Sequence, residues 1–267
     1  MKPSVQNVLG PDGRALIVAM DHARDWGPLP GLERPDEVIE RVIEGGADGI
    51  MTTYGVAKQY GHLLAGRVKV IVRLDGWASH LRETWLAYSG WQDLYTVEDA
   101  LRVGADAVIV NYFMGIAAEH ASLRVVARAA ADADRHGVPL VVESLPCPSP
   151  QIAAPNDPAM IATAARIATE HGADIIKCYY SGTTEGFRRV TETNAAPVLI
   201  AGGAVMNTPL DVLEVVHGAI AAGARGVFFG NNIWRAADPA AMVRALRAVI
   251  HDDVAPDVAA QPLLALA

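Results

Sequence analysis

The stretch GADIIKCYYSG, residues 172–182, ends one helix at a glycine and turns at once into apolar strand material. The same punctuation recurs: GGADGI (45–50), GADAVI (104–109) and GARGVF (223–228) each lead from a helix end into a strand. These four segments precede the second, fourth, sixth and eighth of eight short apolar runs. One helix–Gly–strand unit repeated at every second strand predicts an eightfold barrel.

The eight runs are ALIVAM (15–20), GIMTT (49–53), VKVIVRLDG (68–76), AVIVNYF (107–113), PLVVESL (139–145), IIKCYY (175–180), PVLIAGG (197–203) and GVFFGNN (226–232). Continuous Val/Ile-rich runs, rather than strict alternation, fit parallel strands covered by helices. Amphipathic segments such as RPDEVIERVIEGG and DPAMIATAARIATEHG lie between them, opening at proline and closing at glycine. A doubly wound open sheet is the alternative. Similar spacing of eight units without a reversal of order favours an α/β fold of the (β/α)8 TIM-barrel kind. Residues 1–267 read as a single domain, with a tail at about 253–267 expected to pack on the barrel bottom or on a neighbouring subunit, or to be mobile.

Bulk properties bound the function. The net charge of -8 argues against a general nucleic-acid binder. No signal peptide and no apolar run of membrane-spanning length is evident, so a cytoplasmic protein is expected. Cys147 and Cys178 are the only cysteines and form neither a disulfide framework nor a metal-ligand cluster.

Barrel chemistry sits at the C-terminal strand ends. There the sequence places Asp21 and His22, Arg73 and Asp75, Asn111 and Tyr112, Glu143, then Lys177 and Tyr179. A charged amine inside an apolar strand needs a reason. Lys177 is one of only four lysines in an Arg-rich chain, and arginine is the usual choice for a buried ion pair. A partly desolvated amine beside carboxylates can add to a ketone or aldehyde and form an imine. The ordinary alternative is a strand lysine that only pairs with a core carboxylate or snorkels to solvent. Gly202, Gly203 and Gly230, with Asn231, end strands seven and eight, where barrels often hold phosphate. The stretch 77–95, with Trp77, Trp85 and Trp91, is long for a βα connection and reads as a lid or as a helical insert.

MDHARDWGP, GADIIKCYYSG, VLIAGG and GARGVFFGNNIWRAADPAAM, in order across nearly the whole chain, resemble the DeoC/LacD/archaeal-type class I fructose-bisphosphate aldolase family of Schiff-base TIM barrels. The family's Asp-His-Gly turn followed by Gly-Pro is similar to Asp21-His22-Ala23 with Gly27-Pro28, and its imine-forming lysine matches Lys177. The resemblance implies a metal-independent carbon–carbon lyase of carbohydrate metabolism. It further implies a small-molecule carbonyl substrate, a covalent lysine imine in place of a cofactor, and a homo-oligomer.

Three departures stand out. Leu145 occupies the place of the family's strand-five catalytic tyrosine, no basic residue follows Gly202-Gly203, and Gly230-Asn231-Asn232 replaces Gly-Arg-Asn. Asp21 is the expected acid–base partner, with Glu143 and Tyr179 as candidates for the missing tyrosine and Arg73 as an alternative grip on a substrate anion. The expected reaction makes or breaks a C–C bond of a ketose of the fructose-bisphosphate kind. Alternatives are a thiolase of the phosphorylated autoinducer-2 type, with His22 as acid–base group, and a biosynthetic condensation of dihydroxyacetone phosphate with an amino-aldehyde. A non-catalytic sugar-phosphate-binding barrel is the alternative from another class.

Overall fold

The computed structural model describes residues 3–82 and 91–264. Its barrel strands are β1 (Ala15–Ala19), β2 (Gly49–Thr53), β3 (Lys69–Arg73), β4 (Ala107–Met114), β5 (Leu140–Pro146), β6 (Ile175–Tyr179), β7 (Val198–Ala201) and β8 (Gly226–Phe229). They run parallel and close in the order β1-β8-β7-β6-β5-β4-β3-β2. The connecting helices are α1 (Pro35–Glu44), α2 (Tyr54–Leu64), α3 (Val97–Arg102), α4 (Glu119–His136), α5 (Pro158–Glu170), α6 (Thr184–Glu192), α7 (Pro209–Ala221) and α8 (Pro239–His251).

Alternation along the strands sorts the apolar residues into two cores. Ile17, Met51, Ile71, Ile109, Val141, Ile175, Leu199 and Phe228 fill the barrel interior, joined from below by Val5, Val8 and Leu9 of the N-terminal segment. Their strand neighbours, including Val18, Val72, Val110, Val142 and Ile176, face the helices in the second core. Burial on both faces is why the strands read as continuous apolar runs.

The repeated Gly-Ala-Asp has a structural cause. Asp48, Asp106 and Asp174 each accept the backbone N–H at or near the start of the preceding strand: from Leu16 at 2.7 Å, Val70 at 2.9 Å and Leu140 at 3.0 Å. The glycine before each, Gly46, Gly104 and Gly172, lies at φ +89°, +88° and +102°, where a side chain is strained. At the closing seam a Cβ on Gly226 would lie 1.9 Å from the Ala15 carbonyl oxygen, so only glycine lets β8 meet β1.

β3 and β8 each end three residues before the sequence reading placed them, at Arg73 rather than Gly76 and at Phe229 rather than Asn232. β3 stops at Arg73, and Asp75–Gly76 leaves the barrel to pair antiparallel with Gln92–Asp93, because the Leu74 carbonyl accepts from both Leu94 and Tyr95. β8 stops at Phe229, and Asn231–Trp234 is a helical turn. The tail does not cover the barrel bottom: α9 (Pro256–Leu264) packs along α7 and α8 through Ala259, Ala260 and Leu263. Of the 77–95 stretch, Trp77 and Trp91 pack edge-on against Phe113, while Trp85 lies outside the described residues.

Candidate active site

Above the apolar interior the same inward positions turn polar. The register sets Asn111 opposite Glu143 and Glu143 opposite Lys177, so β4, β5 and β6 present three polar side chains in one row. Lys177 Nζ lies 2.8 Å from Glu143 Oε1, and both side chains are almost wholly buried. The apolar walls are Met51, whose sulfur is 4.0 Å from Nζ, and the aromatic ring of Phe228, whose centroid is 5.8 Å from Nζ.

Arg73 organises the carboxylates. Its Nε donates to Asp21 Oδ2 at 2.9 Å, its Nη1 to Asn111 Oδ1 at 2.6 Å, and its Nη2 to Glu143 Oε2. Asp75 is 3.4 Å from Nη1 and accepts from Trp91 Nε1 at 2.9 Å. With its side chain 2% exposed and every nitrogen engaged, Arg73 serves as the internal counter-ion of the site; the expected grip on a substrate anion has no donor left to make it.

Charge settles the protonation of these groups. Burial alone pushes the Glu143 carboxyl up, but Lys177 and Arg73 outweigh it and hold it down at about 2. Burial likewise opposes ionisation of Asp21, and Arg73 and Arg24 overcome it, holding the carboxyl well below the usual range. His22 goes the other way: burial pushes it below its ordinary value despite Asp21 at 3.6 Å, which favours a neutral imidazole. Its Nδ1 is buried without a hydrogen-bond partner, and its ring packs edge-on against Trp234.

Two chambers meet at Lys177. The larger, about 820 Å³, is lined by Gly202, Gly203, Gly230 and Asn231 at the ends of β7 and β8. The smaller, about 180 Å³, is lined by Asp21, Arg24, Asp25, Trp77 and Asn111. His22, Glu143, Leu145, Lys177 and Tyr179 border both. The structure therefore gathers Asp21, His22, Arg73, Glu143, Lys177, Tyr179, Gly202, Gly203, Gly230 and Asn231 around these chambers, but it turns Tyr112 toward the helices, where its hydroxyl donates to Glu119 at 3.1 Å, and it sets Glu143, rather than Asp21, against the amine.

The sequence reading named Asn232 only as part of the Gly230-Asn231-Asn232 departure and gave it no role. Its side chain donates to the Gly202 and Ala204 carbonyls at 3.1 and 3.0 Å and accepts from Met206 N–H at 2.8 Å, tying the β7 loop to the end of β8. An asparagine beside Gly-Asn was the available signal. Among the described residues, no three His, Cys, Asp or Glu side chains group as a metal site.

The model of the DeoC/LacD family aldolases matches residues 15–236. The chain belongs to that family. This aldolase is 37% identical over 255 residues to the 2-amino-3,7-dideoxy-D-threo-hept-6-ulosonate synthase of Halobacterium salinarum, covering 95% of this chain and 92% of that one. It is 32% identical over 239 residues to the 2-amino-4,5-dihydroxy-6-oxo-7-(phosphonooxy)heptanoate synthase of Streptomyces griseus, covering 90% and 85%. Among solved structures it resembles an archaeal fructose-1,6-bisphosphate aldolase whose catalytic lysine is covalently bound to the carbinolamine intermediate. That similarity has a TM-score of 0.85 and 29% identity over 93% of this chain and 98% of that one. The aldolase is an enzyme of the class I, Schiff-base kind.

Proposed function

We propose that Lys177 forms an imine with a phosphorylated ketone, and that the enzyme makes or breaks the bond between the α-carbon of that ketone and the carbon of an aldehyde. The observation that carries this reading is the buried Lys177–Glu143 pair, 2.8 Å apart, at the junction of two chambers.

The amine adds to the ketone and gives a carbinolamine, which loses water to an iminium. In cleavage the β-hydroxyl loses its proton, the Cα–Cβ electron pair passes to the iminium to give an enamine, and the β-carbon leaves as an aldehyde; in synthesis the iminium releases an α-proton to give the same enamine, which attacks an aldehyde. Glu143 is the counter-ion of the ammonium and then of the iminium. Lys177 and Arg73 together hold its pKa down, so in the neutral carbinolamine the Lys177 share is lost, its basicity rises, and it can relay the proton that dehydration needs. The neutral His22, bordering both chambers, takes or gives the proton of the aldol hydroxyl. Asp21 and Arg73 hold this array in place, and Tyr179 shares the inward face with Lys177. Backbone N–H groups around Gly203 and Asn231 receive the donor's phosphate.

A second, narrower reading is favoured by the two synthases above. The product named for the Streptomyces griseus relative divides, by retro-aldol logic, into dihydroxyacetone phosphate and a four-carbon amino-aldehyde acid. Condensation of that pair is the biosynthetic alternative to ketose-bisphosphate cleavage. A homo-oligomer working in cytoplasmic carbohydrate metabolism fits the acidic chain, and no helix among the described residues can cross a membrane.

Borohydride trapping tests the imine. Dihydroxyacetone phosphate, fructose 1,6-bisphosphate, free dihydroxyacetone and pyruvate are each incubated with enzyme, reduced, digested and mapped by mass spectrometry. A reduced adduct on Lys177 is expected with a phosphorylated ketone; its absence with all four ketones, from a folded enzyme, overturns the reading.

A further inference from the structure

The helical turn Ala23–Trp26 follows Asp21-His22 directly and forms one wall of the smaller chamber. Two of its side chains carry chemistry that the imine cycle does not use. Asp25 is 6% exposed; its Oδ2 accepts from Arg24 Nε at 3.1 Å, but its Oδ1 is buried with no hydrogen-bond partner. A buried carboxylate oxygen left unpaired is costly, and that cost is met when a ligand supplies a donor.

Arg24 beside it is fixed but incompletely used. Its Nε goes to Asp25, its Nη1 to the Asp75 carbonyl at 3.2 Å and, as an ion pair at 3.4 Å, to Asp21 Oδ2, and the guanidinium lies 4.6 Å above the Trp77 ring. Among the described residues, Nη2 has no hydrogen-bond acceptor. The chamber thus offers one unpaired carboxylate oxygen and one unpaired guanidinium edge on adjacent residues, opening onto the same Lys177 that faces the larger chamber.

We propose that Arg24 and Asp25 are the specificity site for the acceptor aldehyde, and that the aldehyde is of the α-amino-acid type. Its carboxylate meets Arg24 Nη2, its ammonium meets Asp25 Oδ1, and its carbonyl points to the enamine on Lys177. The donor then lies in the larger chamber with its phosphate at β7 and β8, so the new bond forms where the chambers join. Burial pushes the Asp25 carboxyl up from its ordinary value, as expected of a carboxylate waiting for a cation. Zwitterion recognition also suits the chamber's small volume and its aromatic wall. This inference rests on the imine reading above and narrows it to an amino-aldehyde acceptor.

The test uses the full-length enzyme with dihydroxyacetone phosphate as donor and three acceptors: aspartate 4-semialdehyde, succinate semialdehyde, which lacks the ammonium, and 3-aminopropanal, which lacks the carboxylate. Two readouts follow the donor alone: the reduced adduct on Lys177 and deuterium exchange from solvent into the donor. The wild type is expected to favour aspartate 4-semialdehyde over either analogue by about tenfold or more in kcat/KM, because a site built on buried polar groups rejects ligands that leave them unpaired. In Asp25→Asn the preference over succinate semialdehyde collapses through a higher KM while both donor readouts persist, and in Arg24→Lys, which keeps the positive charge beside Asp21 and removes the Nη2 edge, the preference over 3-aminopropanal falls in the same way. Equal use of all three aldehydes by a wild type that forms the adduct overturns this inference and leaves the imine reading standing. A parallel fall of donor exchange and condensation in the variants also overturns it, making the pair a structural brace. No adduct on Lys177 overturns both.

Discussion

Glu143 and Lys177 are opposite one another in the β5–β6 register, and their side chains meet at 2.8 Å inside the barrel. The contact follows from strand pairing alone, since two inward residues at the same level of adjacent parallel strands must touch. Lys177 thus keeps a counter-charge from the ammonium through to the iminium. Glu143→Gln keeps the shape and removes the charge. It is expected to lower kcat/KM by roughly 10²- to 10³-fold and to slow adduct formation on Lys177, measured by timed borohydride quenching. An unchanged trapping rate would remove Glu143 from the proton relay.

Arg73 holds two carboxylates that would otherwise repel. Both Asp21 and Glu143 have depressed pKa values, so their contribution to stability is present above the ordinary carboxylate range and is lost as pH falls through their folded values, about 2 for Glu143. Arg73→Met removes the guanidinium from Asp21, Asp75 and Glu143 together. The expected cost is about 3–5 kcal/mol at neutral pH and shrinks as pH falls, because without the guanidinium the two carboxylates take up protons at higher pH. Denaturant melts from pH 3 to 7 check this; a cost that stays constant across that range would show that the cluster is not coupled through Arg73.

Asn232 shapes the β7–β8 end of the larger chamber, where we propose that the donor phosphate binds, without touching Lys177. Asn232→Ala breaks its three bonds to the 202–206 loop. The expected result is a loss of about 1–3 kcal/mol and a KM for the phosphorylated donor raised roughly tenfold, with kcat much less affected. A change confined to kcat would move the donor phosphate elsewhere.

Much of this was legible because the barrel writes itself into the chain at regular intervals. The Gly-Ala-Asp repeats mark strand starts through Asp48, Asp106 and Asp174, and strand ends then nominate Asp21, Glu143 and Lys177. Partnership was not legible. Arg73 faces acceptors from β1, β4 and β5 across 38 to 70 residues, so its engagement by protein groups depends on barrel closure rather than on local pattern. Asp75 reads as strand continuation, and only the ribbon with Gln92–Asp93 turns it aside. Leu145 borders both chambers at the place of the family's tyrosine, and the proposed cycle therefore draws its proton transfer from Glu143 and His22.

The barrel bottom carries its own titration, remote from the chemistry. His251 binds Asp12 through Nδ1 at 2.7 Å and Asp48 through Nε2 at 2.9 Å, and Arg247 adds a contact to Asp48 at 3.1 Å. The hydrogen bond to Asp48 is the main cause that raises the His251 pKa, against burial. A histidine raised in the folded state stabilises fully below its unfolded value, near 6.5, and that stability is lost as pH rises through the folded value. Asp12 and Asp48 are lowered despite burial, so their share is lost instead on acidification through their folded values. The cluster is therefore strongest between the carboxylate range and the raised histidine. Because Asp48 also holds the Leu16 N–H, its loss loosens β1. His251→Gln is expected to cost about 1–3 kcal/mol at pH 6, to cost less at pH 9, and to flatten the alkaline slope of stability. Urea melts of both proteins from pH 5 to 9 decide it: parallel curves would mean that His251 contributes packing and no charge.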